Sequence, residues 1–212
     1  NGFPPDEFAR VTPDRGAAWR AHWCPGPGPV AGVVGRVKLR RKGQETFLAA
    51  AALLRERFPA ARFLIVGAPF PGNEEHLDAL RRQARELGVQ DCIVFTGEVE
   101  DGQAALAALD VVVLPSGQPE PFGGVVIEAM ALGRPVVGTA IGGTPEQIED
   151  GVTGLLVPPG DPAALAQALA RLFEDAALRA RMGEAARRRF QSHFTFAPFQ
   201  QKVLDLYREL AE

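Results

Sequence analysis

Residues 111–139 read VVVLPSGQPEPFGGVVIEAMALGRPVVGT, and this stretch decides the fold. An apolar run is followed by a turn rich in proline and glycine, then by a helical stretch and a second apolar run that ends at Thr139. Neither run alternates polar and apolar side chains, which is typical of strands that are buried on both faces. The order strand, helix, strand therefore predicts a βαβ unit of a parallel sheet.

The same alternation extends over most of the chain. The predicted strands lie at 30–35, 62–67, 92–96, 111–114, 135–139 and 154–157, and the predicted helices at 44–57, 74–87, 102–109, 123–132 and near 145–149. Beyond residue 162 we expect only helices, with breaks near Asp175 and Ser192. Asn73 and Thr144 are expected to cap helices, and Gly88 to end one. The sequence thus predicts an α/β fold: a doubly wound, six-stranded parallel Rossmann-like sheet with helices on both faces.

Length and composition exclude several classes of protein. The 212 residues suit one compact domain, and 46% apolar with 23% charged residues is a globular composition rather than that of a disordered chain. No apolar run is long enough to span a membrane. The net charge of −3 argues against a general nucleic-acid binder, and two cysteines cannot form a disulfide framework or a four-cysteine zinc site.

The beginning of the chain differs from the rest in its high proline content. Residues 1–29 contain six prolines and one helical candidate at 14–23, so we expect a hinge or linker remnant there. Residues 30–212 would then form the binding domain with its C-terminal helices. The chain begins at Asn1 without methionine or a signal-peptide pattern, which predicts a fragment of a longer protein. The low cysteine count fits a reducing cytosol.

A run of cations follows the first predicted strand. Five of the seven residues from Arg36 to Lys42 are Arg or Lys. Such a run can be a solvated charged loop. In a doubly wound sheet, however, ligands bind outside the carboxyl ends of the strands, and the run lies at that edge. Its position therefore favours an anion-binding site.

The helix after the fourth strand combines a glycine pair with a lone carboxylate. Gly123 and Gly124 open the helix, where backbone N–H groups can approach a phosphate closely, although the same pair can be a plain helix start. Glu128 is the one charged residue of an otherwise apolar helix. A buried carboxylate needs partners, which are either Arg134 and backbone amides or the hydroxyl groups of a ligand.

Several motifs typical of other nucleotide-binding proteins and of hydrolases are absent from the sequence. The sequence contains no Walker A motif, no dinucleotide fingerprint after a strand and no Gly-x-Ser-x-Gly. Its three histidines fall on linker or helical surface segments, and we expect no metal site. A further group of arginines (Arg179, Arg181, Arg187, Arg188 and Arg189) is interpreted as a solvated helix face, with binding to a membrane surface as the alternative.

Two glutamates with seven residues between them connect these features. Glu120 and Glu128 lie in PEPFGGVVIEAMALGRPVVGT, which is followed by GGTPEQIEDGVTGLLV at 142–157. Together with Gly35-Arg36, Lys42-Gly43, Gly67 and the segment VFTG at 94–97, this pattern closely resembles the retaining family 4 glycosyltransferases of GT-B fold. The resemblance covers most of the chain and implies one half of a GT-B fold, the C-terminal, donor-binding domain. It also makes the first three residues resemble the family's hinge.

The resemblance assigns roles to individual residues. It implies that Glu128 holds the ribose hydroxyls of a nucleotide sugar and that Glu120 contacts the transferred sugar. Arg36 and Lys42 would stabilise the diphosphate; the spacing from Arg36 to Lys42 is one residue longer than usual, so that Arg41 is an alternative to Lys42. The remaining implied donor contacts, which hold the sugar, phosphates and base, are Phe122, Gly123, Gly124, Val125, Thr96, Gly97 and Val99.

The resulting hypothesis is a domain that binds a UDP-, GDP- or ADP-sugar in an enzyme that transfers a hexose, without cofactor or metal. The resemblance places the acceptor-binding half upstream of Asn1, so we expect this chain to fold but not to catalyse transfer alone. The last helix, predicted at 199–210, would cross back to that half. The expected location is the cytoplasm, with peripheral association of the full-length enzyme at the inner face of the membrane.

Three alternatives remain. The first is a non-enzymatic nucleotide-sugar-binding or structural module, which binding residues alone do not exclude. The second is a glycoside hydrolase with Glu120 and Glu128 as paired carboxylates, which leaves the cations and the glycine pair unexplained. The third is a sugar-nucleotide epimerase, which the segment Glu-Pro-Phe-Gly at 120–123 disfavours.

Overall fold

The computed structural model describes residues 2–120 and 122–211. Within these ranges, six parallel strands form one sheet in the order β3-β2-β1-β4-β5-β6. The strands are β1 (Val30–Val34), β2 (Arg62–Val66), β3 (Ile93–Gly97), β4 (Val111–Leu114), β5 (Val136–Thr139) and β6 (Gly154–Val157). The predicted α/β class, strand number and parallel direction are confirmed, with strand ends that differ by one residue at most.

The helices alternate with the strands and then complete the chain. They are α1 (Pro5–Ala9), α2 (Pro13–Trp23), α3 (Gln44–Leu54), α4 (Glu75–Glu86), α5 (Gly102–Ala108), α6 (Gly124–Ala131), α7 (Thr144–Gln147), α8 (Pro162–Glu174), α9 (Ala176–Arg189), a π-helix (Phe190–Phe194) and α10 (Phe196–Ala211). The predicted break at Asp175 is confirmed, because its side chain caps α9 by accepting a hydrogen bond from the Leu178 N–H at 2.7 Å. The break predicted near Ser192 coincides with the π-helix.

Two of the predicted helix caps are wrong. Helix α4 begins after Glu74, and Asn73 lies one residue too early to cap it; its carbonyl accepts from the His76 N–H instead. Thr144 is the first residue of α7 rather than its cap. Gly88 does follow the end of α4, with the positive φ of 66° that a terminating glycine adopts.

The core has two parts, one on each face of the sheet. Consecutive residues of β2 point into opposite parts: Phe63 packs with α3 and α8, whereas Leu64 packs with α5 and α6. Five of the strands are almost entirely buried, which explains their continuous apolar sequences; the edge strand β3 is fully buried only at Ile93. This arrangement confirms the doubly wound, Rossmann-like sheet.

The segment predicted as a linker carries two helices that pack on the domain. Helix α1 was not predicted; its Phe8 is buried edge-on against Phe190 at 5.5 Å between ring centroids. Helix α2 lies against α5, where a Cβ atom on Gly16 would be only 3.0 Å from the Ala107 Cβ. A hinge role for this segment stays a prediction, and Asn1 lies outside the described residues.

Asp110 joins α2 to the start of β1. Its carboxylate accepts hydrogen bonds from Arg20 at 2.9 Å and from the Val30 N–H at 2.8 Å. Because both donors are partly shielded from solvent, Asp110→Ala is expected to lower the free energy of unfolding by about 2 kcal/mol, or Tm by about 4–8 °C. Glu184→Ala, which removes an exposed pair with Arg188, is the control and is expected to cost less than about 1 kcal/mol. Equal losses in thermal melts would contradict this role for Asp110.

The arginine-rich helix α9 is only partly a solvated face. Arg179 donates to the carbonyls of Leu172 and Phe173, and Arg189 donates to the carbonyl of Gln147 at 2.9 Å. For these two arginines the predicted solvated face is therefore wrong, because they satisfy helix-end carbonyls. Within the described ranges, no helix has the length and apolar character that a membrane crossing requires.

Candidate functional site

Two adjoining cavities open at the carboxyl ends of the strands. The wider one, of about 480 Å³, is bounded by the ends of β1 and β2 and by residues 98–102. The narrower one, of about 190 Å³, lies between the loop after β1 and the start of α6. Val34, Gly35 and Arg36 line both cavities. We call the two together the strand-end cleft.

The loops after β1 and β2 approach each other closely at this cleft. Gly67 has a φ of 126°, and a Cβ atom there would lie 2.2 Å from the Gly35 carbonyl oxygen. The N–H of Val37 donates to the carbonyl of Ala68 at 3.1 Å. The backbone around Arg36 is therefore held against the neighbouring loop.

Gln44 supports the loop that contains Arg36, a role that was not predicted from the sequence. Its side chain is fully buried and donates to the Arg36 carbonyl at 3.0 Å, which fixes the loop from the helix side. The sequence contains little signal of this role, since Gln44 is followed by the polar residues Glu45 and Thr46 in the first turn of α3. Nothing in the local pattern indicated that its partner is the loop containing Arg36.

Lys42 reaches the narrower cavity because Gly43 permits a tight turn. Gly43 has a φ of 68°, and a Cβ atom there would lie 1.7 Å from the Pro115 carbonyl oxygen. Lys42 lines the cavity, whereas Arg41 does not and instead accepts a backbone hydrogen bond from Gly117. Of the two candidates that the sequence left open, the geometry thus brings Lys42 into the cleft.

Glu120 lies in the same cavity and is paired with Lys42. The Lys42 Nζ and Glu120 Oε1 atoms are 2.6 Å apart, and the Ser116 hydroxyl donates to the same oxygen at 3.0 Å. Only 6% of Glu120 is exposed. The N–H of Gly143 donates to the Glu120 carbonyl at 3.1 Å, so that the loops after β4 and β5 hold this residue together.

The start of α6 forms the opposite wall. Gly123, with a φ of 57°, is the residue before the helix, and it lines the narrower cavity with Gly124 and Val125. The preceding Phe122 lines a third cavity, of about 460 Å³, which shares Glu120 with the narrower one. Its ring stacks on Phe3 at 6.0 Å between centroids, a contact between the site loop and the N-terminal segment that the sequence did not predict.

Glu128 is half-buried one turn into α6 and lies beside the narrower cavity rather than among its lining residues. A Cβ atom on Gly124 would be 3.7 Å from a Glu128 carboxylate oxygen. Burial raises the pKa of Glu128, and the nearby carboxylate of Glu7 in α1 raises it further. An unpaired carboxylate in this position is costly to the fold.

The predicted structural alternative for Glu128, a pair with Arg134, is not found among residues 2–120 and 122–211. Arg134 follows the other end of α6, near Asp110 and Arg20, and its own pKa is lowered by burial. Glu128 thus lies within α6, whereas Arg134 lies three residues beyond its end and has other charged neighbours. The position of Glu128 beside Gly124 favours a ligand as its partner.

The end of β3 and the residues that follow it contribute fewer lining residues to the wider cavity than predicted. Val99 lines the wider cavity, next to Glu98. Thr96 and Gly97 do not line it: the Gly97 carbonyl accepts from the Gly67 N–H at 2.9 Å and thus supports the neighbouring loop. Across residues 2–120 and 122–211, no cluster of three or more His, Cys, Asp and Glu side chains is arranged to hold a metal ion.

A doubly wound sheet with this cleft at its strand ends defines a Rossmann-like domain, and its structural neighbours are GT-B glycosyltransferases. The family model described as "Glycosyl transferases group 1" matches residues 28–175. The chain belongs to this family, which confirms the resemblance found in the sequence.

Individual relatives agree with this assignment. A D-inositol 3-phosphate glycosyltransferase from Corynebacterium urealyticum is 38% identical over 91% of this chain and 46% of its own length. The crystal structure of Anabaena HepE in complex with UDP-glucose superposes with a TM-score of 0.89 at 29% identity, over 99% of this chain and 56% of that one. The C-terminal domain of the Francisella tularensis group 1 protein LpcC gives a TM-score of 0.78 at 26% identity, over 92% of this chain and 100% of that one. The chain thus spans about half the length of the curated relative.

Proposed function

We propose that this chain is the donor-binding domain of a glycosyltransferase that uses a nucleoside-diphosphate sugar. The observation that carries the proposal is the convergence of Arg36, Lys42 and the first N–H groups of α6 on one cavity of about 190 Å³. Two cations and a helix start form a site for a diphosphate. The UDP-glucose bound to the Anabaena relative supports a UDP-hexose as the donor.

The charges of the cleft fit the proposed reaction. When the bond between the sugar's anomeric carbon and the diphosphate oxygen breaks, the oxygen keeps the electron pair and the sugar becomes cationic. Arg36, Lys42 and the α6 N–H groups stabilise the charge on the leaving group. A carboxylate at Glu120 orients the sugar and favours its positive charge. We propose that the acceptor adds with retention of configuration and that no metal or cofactor takes part.

Donor binding requires Lys42 to exchange Glu120 for the diphosphate. Glu120→Gln is therefore expected to strengthen UDP binding about twofold to fivefold, because the diphosphate no longer competes with an ion pair. The same variant is expected to weaken UDP-glucose relative to UDP, since the contact with the sugar is lost. Calorimetric titration with both ligands measures the two effects. Unchanged or weaker UDP binding would contradict the exchange, and equal changes for UDP and UDP-glucose would contradict the contact of Glu120 with the sugar.

Transfer itself is proposed to need a second, acceptor-binding half. The extent of this chain, about half of the curated relative, supports this division. Helix α10 exposes an apolar face that would pack there, formed by Phe196, Phe199, Leu206, Tyr207 and Leu210. The Francisella C-terminal domain, solved by itself, supports folding of this chain alone. Cytoplasmic location and peripheral membrane association stay predictions.

Thermal stability in the presence of UDP, GDP and ADP tests the donor site. A ligand at 100 times its Kd stabilises the folded state by about 2.7 kcal/mol, which corresponds to a rise in Tm of about 5–10 °C. We expect this rise with UDP and none with uridine at the same concentration. A folded chain that responds to none of the nucleotides contradicts the proposal. Donor hydrolysis by the full-length protein then separates an enzyme from a non-enzymatic binding module.

A further inference from the structure

Arg36 and Phe70 form a stacked pair at the mouth of the strand-end cleft. The Arg36 Cζ atom lies 3.0 Å from the centroid of the Phe70 ring. Both residues line the wider cavity, although Phe70 is 57% exposed. Single exposed apolar side chains are common, so the informative feature is the close contact of the Phe70 ring with the Arg36 guanidinium beside the cavity.

The backbone around this pair is held in place from three sides. Gln44 binds the Arg36 carbonyl, and Val37 binds the loop after β2. Phe70 lies between Pro69 and Pro71, whose rings restrict the backbone on both sides of it. The relative positions of the two backbones are thus fixed, and the conformational freedom that remains is that of the side chains.

Phe70 limits that remaining freedom. Among residues 2–120 and 122–211, no carboxylate lies within ion-pair distance of Arg36, in contrast to Lys42. A lone exposed arginine would sample many rotamers and lose their entropy when a ligand binds. Stacking uses the face of the guanidinium and leaves its N–H donors, which lie in the plane, free for phosphate oxygens.

We propose that Phe70 is a positioning residue for the donor diphosphate: it holds the Arg36 guanidinium in place before the ligand arrives. This inference rests on the proposed function, because it assigns Arg36 to the diphosphate. It predicts that the contribution of Phe70 appears with ligands that carry a diphosphate and disappears when Arg36 is removed. A ring that stacked on the base instead would affect every uridine-containing ligand equally.

The test compares UDP with uridine on the 212-residue chain and its variants. Phe70→Ala and Phe70→Leu are expected to weaken UDP about threefold to tenfold and uridine less than twofold, by calorimetry and NMR titration respectively. Phe70→Tyr, which keeps the ring, is expected to restore UDP binding. In an Arg36→Ala background, Phe70→Ala should have no further effect on UDP. Equal losses for UDP and uridine, or a full additional loss in that background, would overturn the proposal.

A second measurement needs no nucleotide. The Phe70 ring should shift the NMR signals of the Arg36 side chain, and this shift should persist in Phe70→Tyr and vanish in Phe70→Leu. If wild type shows the shift but binds no nucleotide, the proposed function fails while the stacked pair stands. If the shift is absent in the wild type, the positioning role is wrong, whatever the nucleotide affinity.

Discussion

Glu128→Ala is expected to weaken UDP binding by about 10- to 150-fold. A carboxylate that accepts hydrogen bonds from ribose hydroxyls contributes about 1.5–3 kcal/mol, and the substitution removes both acceptor oxygens. Glu128 is half-buried beside Gly124, and alanine at this position offers no acceptor in place of the carboxylate. Calorimetric titration measures the loss. An affinity within twofold of wild type would exclude Glu128 from the donor site.

Glu128→Gln is expected to have opposite effects on UDP binding and on thermal stability. It keeps the shape of the side chain but removes the charge that burial makes unfavourable. The variant should therefore bind UDP more weakly than wild type yet melt at a higher temperature; a gain of about 1 kcal/mol raises Tm by about 2–4 °C. A lower Tm would show that the carboxylate has a stabilising partner in the fold.

The pH dependence of this difference has a definite sign. The pKa of Glu128 is raised in the folded state, so the unfolded chain releases this proton at a lower pH than the folded one does. The stability that Glu128 contributes as an acid is present below its unfolded pKa, about 4.3, and is lost as the pH rises through the folded pKa. The Tm advantage of Glu128→Gln should accordingly be present at pH 7–8 and vanish in acid. Protonation of UDP does not affect this comparison of unliganded proteins.

Gly43→Ala is expected to have the largest effect on stability. A Cβ atom at this position would lie 1.7 Å from the Pro115 carbonyl oxygen, and the φ of 68° is itself unfavourable for alanine. Relief of the clash requires the turn after Lys42 or the end of β4 to move. We expect a loss of about 3 kcal/mol, or a fall in Tm of about 6–12 °C, together with weaker UDP binding.

Gly160→Ala is the matched control for this prediction. Gly160 has a similar φ of 71°, but a Cβ atom there would meet nothing within 4 Å. It is expected to lose only the backbone penalty, about 1 kcal/mol, and to bind UDP as wild type does. If both variants lose the same stability, the close approach of Gly43 to Pro115 does not matter for the fold.

The strands could be predicted from sequence because their signal is local. Each strand of a parallel sheet that is buried on both faces is a short apolar run, and runs such as 111–114 and 154–157 match the structure at both ends. The caps at Asn73 and Thr144 were mispredicted because neither helix uses a side-chain cap: Glu74 and Gly143 occupy the cap positions, and no side chain there accepts a hydrogen bond from the first turn.

The residue types of the candidate site were also readable in the sequence. Arg36, Lys42 and Glu120 stand where strand ends were predicted, and the rule that parallel strands end at one edge brings them together. The ion pair between Lys42 and Glu120 could not be predicted from the sequence. Lys42 and Glu120 are 78 residues apart, and their contact depends on the turn at Gly43 and on the neighbouring positions of β1 and β4.

The sequence by itself determined the fold class, the family and the residues that carry charge at the strand ends, because each of these depends on short, continuous segments of the chain. Only the tertiary structure decided that Lys42 rather than Arg41 enters the cleft, that α1 brings Glu7 towards Glu128, and that Phe70 stacks on Arg36. These contacts join loops from different strands. Their geometry depends on the order of the strands in the sheet and on close approaches between distant parts of the backbone, and neither can be predicted from a local pattern of residues.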